Sequence, residues 1–242
     1  MSIADQIRPA SDAALAHMNM LLYGPPGAGK TYLAKTAADA GHRVLLIDAE
    51  SGSMSVRNST VDVLPVRSWP DCQAAYKHVA GCLGEYDVVF LDSLTEMQML
   101  LAEDLRLIRD DKTGEVKGKK PRPTLEDWGF IIQRTAAMVR MWRDLPVSVV
   151  VVALSMEAGA DGEMLIRPSL NGKKLPHQIA GLFDLVGYAQ GGEAGEGYSI
   201  MFSHAGDRYA VKDRSGNLAA VEAADYAAIH NKVFQRDKRE DG

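Results

Sequence analysis

The sequence predicts an α/β fold of three layers, α/β/α, with a mostly parallel central sheet that ends in antiparallel C-terminal strands. Three observations predict it. Four short apolar runs, at 18–24, 43–50, 86–93 and 146–155, lack polar alternation and so suit strands covered on both faces. Helical stretches at 30–40, 71–83, 94–109 and 124–144 alternate with them, and strand then helix, repeated, gives a parallel sheet with right-handed crossovers. After Ser155 the texture shortens to MLIRPSL, GLFDLVGYAQ, YSIMFSH and RYAVKDR, separated by Gly-rich connections such as GGEAGEG, which predicts meander-like pairing.

In chain order, the first run leads into Gly24-Pro25-Pro26-Gly27-Ala28-Gly29-Lys30-Thr31, a match to G-x-x-x-x-G-K-[ST] placed between strand and helix, as its mechanism requires. Gly24, Gly27 and Gly29 can take backbone angles forbidden to other residues, so that successive N–H groups curve around phosphate oxygens at a positive helix end. Lys30 adds a full charge, and the Thr31 hydroxyl is placed to bind a Mg²⁺ that bridges the terminal phosphates. ATP with Mg²⁺ is the expected ligand. The run at 43–50 ends in Ile47-Asp48-Ala49-Glu50, delivering a carboxylate to the end of a core strand. Hydrolysis needs such a group to orient and polarise water; Glu50 is the candidate base, and Asp48, on the same strand face, competes with it. The run at 86–93 closes on Asp92, the candidate water-mediated partner of Mg²⁺, and Asp92 or Ser93 can also cap the helix beginning at Leu94. In helicase-loader and unfoldase types of P-loop protein a glutamate directly follows that aspartate; here Ser93 does, which disfavours that branch.

The segment 104–122 carries seven basic and four acidic side chains, and its glycines and prolines predict a flexible basic loop presenting Lys112, Lys117, Lys119, Lys120 and Arg122. On the helix at 124–144, Met138, Met141 and Trp142 fit an apolar face and belong to the core, and Trp128 is read as core in preference to a base-stacking residue. The run at 146–155 ends at Ser155, and a second loop region, 156–174, carries Arg167, Lys173 and Lys174. Backbone-tracking cations without a groove-reading helix suit single-stranded, sequence-tolerant binding. Late in the chain, Lys212 and Arg214 share a strand face by the period of two.

Length and composition bound this reading. A chain of 242 residues, 46% hydrophobic and 24% charged, supports one larger domain, with 1–17 a helical extension, 18–220 the core, and 221–242 a closing helix and charged tail. With 27 basic and 32 acidic side chains, a net charge of −5, wholesale attraction to nucleic acid or an anionic membrane is not expected. Cys72 and Cys82 make neither a disulfide scaffold nor a metal pattern, and the six histidines lack metal spacing. The longest apolar run, 147–154, falls far short of the roughly 20 residues that span a bilayer, so no membrane contact and a cytoplasmic protein are expected.

From these motifs the chain resembles the RecA-like recombinase family, whose second core strand ends in a very similar I-D-A-E and whose Walker B strand reads much like YDVVFLDS. With PSLNGKKLPHQIAGLFDLVGYA and YAVKDRSG included, the resemblance covers about 18–216 and is nearest to short bacteriophage RecA-like proteins that lack long accessory domains. It implies that Glu50 activates water, that Asp92 partners magnesium, and that Ser155 occupies the polar sensor position where RecA proteins usually carry glutamine. It implies that Lys212 and Arg214 reach a neighbour's ATP, and that 104–122 and 156–174 stand where the two DNA loops fall. It further implies a homo-oligomer, ring or filament, on single-stranded DNA, annealing or recombination activity, a single-stranded DNA-binding protein as partner, and the host cytoplasm if phage-encoded. Two other classes fit the phosphate loop: a nucleotide-switched binding module with negligible turnover, and a small-molecule P-loop kinase, for which no arginine-rich lid helix appears.

Overall fold

The computed structural model describes residues 17–110, 112–160, 163–192 and 197–235. The helical extension, the charged tail from 236 onward and the middle of GGEAGEG lie outside the described residues. The central sheet runs β12-β10-β9-β1-β7-β4-β2-β3, with β8 paired to β7 and β11 to β9. These are β1 (Asn19–Gly24), β2 (Val44–Asp48), β3 (Asp62–Pro65), β4 (Val88–Asp92), β7 (Ser148–Ala160), β8 (Glu163–Pro168), β9 (Leu185–Gln190), β10 (Ser199–Met201), β11 (Lys212–Asp213) and β12 (Val221–Ala223). From β3 to β9 every neighbouring pair is parallel, and β10, β11, β12 and β8 join antiparallel. The predicted three-layer architecture with its antiparallel C-terminal strands is therefore present.

Alternation along the buried strands divides the core in two. Leu21, Tyr23, Leu45, Ile47, Val89, Leu91, Val149 and Val151 face α2 (Trp69–Gly81), α3 (Leu94–Arg106), α4 (Leu125–Arg143) and α5 (Leu175–Gly181). Met20, Leu22, Leu46, Val88, Phe90, Val150 and Val152 face α1 (Tyr32–Asp39) and α6 (Tyr226–Val233). Burial on both faces is why these runs carry no polar alternation. The fully buried Tyr23 uses its hydroxyl twice: it donates to the Ile166 carbonyl at 3.2 Å and accepts the Ala210 N–H at 2.9 Å. One phenol thus joins β1 to β8 and to the segment that enters β11.

Several expectations are corrected. The basic loop is in part a hairpin, β5 (Leu107–Arg109) with β6 (Val116–Lys119), so the helix before it stops at Arg106. Gly118 occupies a strand position beside Ile108, and the register shifts between Ile108 and Arg109. The strand at 146–155 does not end at Ser155; it continues to Ala160 and folds back through β8, so the second loop region is largely a hairpin. Beyond β8 the chain is fixed rather than loose. Thr95 donates to the Ser169 carbonyl at 3.0 Å, and Gln98, 1% exposed, exchanges bonds with the backbone of Asn171. Within the closing segment the helix begins only at Tyr226, after β12. Trp142 and Met138 are buried as expected, but Met141 is 47% exposed.

Candidate functional site

At the C-terminal end of β1 the chain turns through the phosphate loop into α1, and its three glycines serve two purposes. Gly27 and Gly29 both sit at φ +77°, the left-handed region that favours glycine. Gly24 does not: a Cβ there would lie 2.6 Å from the Ala189 carbonyl, so its role is to let β9 approach β1. Ala28 is buried against the α1 face of the core, and Pro25 offers its carbonyl to the loop's own lysine. Lys30, 7% exposed, donates to the carbonyls of Gly24 at 3.0 Å and Pro25 at 2.7 Å. Burial pulls its pKa down, against the opposing pull of Asp92 and Glu50.

Thr31 stands at the start of α1 but does not cap it; its hydroxyl donates to Asp92 Oδ2 at 2.5 Å. Asp92, 3% exposed, has its carboxyl pushed up to about 6, foremost by burial, with the Thr31 bond and Lys30 pulling down and Glu50 and Asp48 pushing up. Its ordinary value is 3.8, so ionised Asp92 costs the folded protein stability progressively from about pH 4 to pH 6. A hard divalent cation beside it would offset that cost. The Thr31 hydroxyl and the Asp92 carboxylate, adjacent oxygen donors on one cavity, fit Mg²⁺.

Glu50 lies just past β2, exposed, and its Oε1 accepts the Ser93 hydroxyl. Asp48 has a structural role instead. Only 2% exposed, it accepts the Gly52 N–H at 3.0 Å and shapes the turn that follows Glu50. That turn passes through Ser51 at φ +63°, a strained angle for a residue with a Cβ. Pro26, Gly27, Gly29, Lys30, Thr31, Glu50 and Asp92 line one cavity of about 450 Å³, which Asp48 does not reach. Between the two acidic candidates the geometry therefore favours Glu50.

The cavity also holds residues that sequence reasoning missed: Tyr32, Ser55, Leu154 and Tyr198. The Tyr198 ring lies on Gly29, where a Cβ would meet its Cγ at 2.3 Å, and 5.7 Å from the Tyr32 ring. Tyr32 is signalled by its place directly after the motif, whereas nothing local marks Tyr198. Ser155 is not at the cavity. Leu154 pairs with Gly24 and lines the cavity, so its neighbour Ser155 turns to the other face, toward Tyr188. The strand residue beside the loop is thus apolar.

The remaining candidates lie elsewhere. Lys212 Nζ donates to the Ala180 carbonyl at 3.4 Å and Arg214 pairs with Asp184 at 2.6 Å, both at the junction of α5 and β9. Because Lys212 pairs with Val186, level with the first half of β1, these cations sit at the sheet end opposite the phosphate loop. Burial and the Arg214 guanidinium lower the Lys212 pKa. In the hairpin, Lys117 pairs with Asp110, Lys119 with Glu103, and Lys120 with Asp127 at 3.4 Å. Arg167 is engaged by the carbonyls of Asp207 at 2.5 Å and Arg208 at 2.8 Å. Lys112, Arg122, Lys173 and Lys174 are exposed, with no ion-pair partner among the described residues.

The family comparison agrees with a nucleotide-binding core. The family described as AAA domain matches residues 16–215. No curated protein matches the sequence. Among solved structures, the flagellar accessory protein FlaH from Methanocaldococcus jannaschii is similar at 11% identity over 77% of each chain, with a TM-score of 0.39. The RadB recombinase is similar at 14% identity over 76% of this chain and 79% of its own, with a TM-score of 0.43.

Proposed function

Given that the chain belongs to the AAA domain family, we propose that it is a Mg²⁺-dependent, RecA-like ATPase that works as a homo-oligomer on single-stranded DNA, promoting annealing or recombination. The observation that carries the ATPase reading is the convergence of Lys30, Thr31, Asp92 and Glu50 on one cavity at the C-terminal ends of β1, β2 and β4. Lys30 exchanges its two loop carbonyls for phosphate oxygens and neutralises charge as the γ-phosphoryl departs. Thr31 and Asp92 would hold the metal, which when bound screens the terminal phosphates. Glu50 orients a water and takes its proton as the water oxygen bonds to phosphorus and the bridging oxygen leaves with ADP. Leu154 gives the cavity an apolar side chain beside these polar groups.

Support for the DNA reading is narrower than the loops alone imply. Lys117, Lys119, Lys120 and Arg167 are engaged within the chain, so the backbone-tracking role falls to Lys112, Arg122, Lys173 and Lys174. Lys212 and Arg214, opposite the phosphate loop, are the cations offered to a neighbour's nucleotide, with Asp184 holding Arg214 until then.

Phosphate release measured with single-stranded DNA, with duplex and without DNA tests both parts. Glu50→Gln is expected to lower turnover by about 10² to 10⁴ while sparing ATP affinity. Stimulation by single strands, lost when the four free cations become alanine, supports the DNA reading. Hydrolysis indifferent to DNA defeats it and leaves the ATPase standing.

A further inference from the structure

We propose that Ser93 is the positioning residue for the hydrolytic carboxylate: its hydroxyl donates to Glu50 and fixes where that side chain stands over the phosphate loop. The inference rests on Glu50 being the base. Ser93 is fully buried, directly after β4, and is the N-cap of α3, accepting the Glu96 N–H at 3.3 Å. That cap occupies a lone pair and leaves the single hydroxyl proton free, and Glu50 Oε1 receives it. Glu50 is exposed and makes no other side-chain hydrogen bond or ion pair among the described residues.

Its backbone is already fixed. The Ala49 N–H donates to the Asp92 carbonyl at 2.7 Å, Arg67 donates to the Asp48 carbonyl at 2.7 Å, and Gly52 is held by Asp48. What stays free is the long Glu50 side chain, whose rotamers are numerous and whose working position demands one of them. The end of β4 thus divides its duties between consecutive residues. Asp92 answers to Thr31, and Ser93 answers to Glu50. This also gives a reason for serine where another P-loop branch carries its glutamate: with the base arriving from β2, the position after the aspartate is free to hold it.

The test separates the donor from the cap. Ser93→Ala and Ser93→Gly both delete the hydroxyl, but glycine is nearly as good a helix cap as serine and alanine is not. Ser93→Thr keeps both functions. Turnover number and the dissociation constant of a fluorescent ATP analogue are measured for each, beside Glu50→Gln. The expected result is a kcat lower by about 10- to 100-fold in both the Ala and Gly variants, the cost of a misplacement near an ångström, at unchanged nucleotide affinity. Thr restores most of the rate, and Ser93→Gly adds nothing to Glu50→Gln. A wild-type kcat in Ser93→Gly overturns the proposal, and so does a loss confined to Ala, which would assign Ser93 to the cap alone. Should Ser93→Gly lose nucleotide binding through misfolding, Ser93→Cys, of similar size and a weaker donor, decides: reduced kcat at full affinity supports it, and wild-type kcat overturns it. If Glu50→Gln hydrolyses ATP normally, the base assignment fails first and the positioning role with it, an outcome distinct from an inert Glu50→Gln beside an active Ser93→Gly.

Discussion

Gly27 and Gly29 share φ +77° yet have different neighbours, and that contrast isolates what Tyr198 does. A Cβ on Gly27 meets nothing within 4 Å, whereas one on Gly29 runs into the Tyr198 ring. Gly27→Ala should therefore cost only backbone strain, about 1–2 kcal/mol. Gly29→Ala should cost clearly more, and Tyr198→Ala in the same chain should recover the excess; urea denaturation of the three variants measures it. At this scale the phosphate loop is legible in the sequence because its eight residues are contiguous and each answers to a local rule. Ser93 with Glu50, 43 positions apart, and Tyr198 on Gly29 are not, since only tertiary folding brings them together. Ser155 misses the cavity because alternation along its strand gives that face to Leu154, which no local signal marks. Asp48 and Glu50, alike in sequence, part only once Asp48 is seen to accept the Gly52 N–H.

Among the elements, α6 shows how a short helix is held by a few contacts that change with pH. The Tyr226 N–H donates to Thr36 of α1 at 3.0 Å, Lys232 pairs with Glu222 at 2.6 Å, and His230 packs between His42, Tyr226 and Phe234. Burial and the neighbouring His42 lower the His230 pKa from 6.5, so the folded protein prefers the neutral ring. Its contribution is complete above about pH 6.5 and is lost as the pH falls toward the folded-state value, where the unfolded chain binds the proton more readily. Melting curves from about pH 7.5 to about pH 5.5 should show a smaller acid loss for His230→Phe than for the unaltered protein. The apolar strands and long helices are legible because their periodicity is strong. The β5–β6 hairpin is not: Gly, Pro and Lys speak for a loop, and the acids that neutralise its lysines, Glu103 and Asp127, lie on flanking helices.

For the molecule as a whole, the sheet holds two sets of cations apart. The phosphate loop leaves one end of the sheet, and Lys212 and Arg214 stand toward the other, so the proposed action of these cations on a nucleotide calls for a second copy. Mixing Lys30→Ala protein with protein carrying Lys212→Ala and Arg214→Ala, each inactive alone, should regain up to about a quarter of normal hydrolysis, the share of randomly formed interfaces with both halves intact. A mixture as inert as its components would remove these cations from the mechanism. The layered fold is legible from strand–helix alternation, whereas the opposition of the two ends depends on the register of β11 against β9, which no local pattern encodes. Tyr23 bears on how such a chain comes to be assembled. Its hydroxyl serves backbone groups 143 and 187 positions downstream, and closing spans of that length is slow. Residues 166 and 210 therefore gain their shared partner only after the chain that carries them has been made and has returned to its beginning, so a nascent chain halted before residue 166 keeps that phenol waiting.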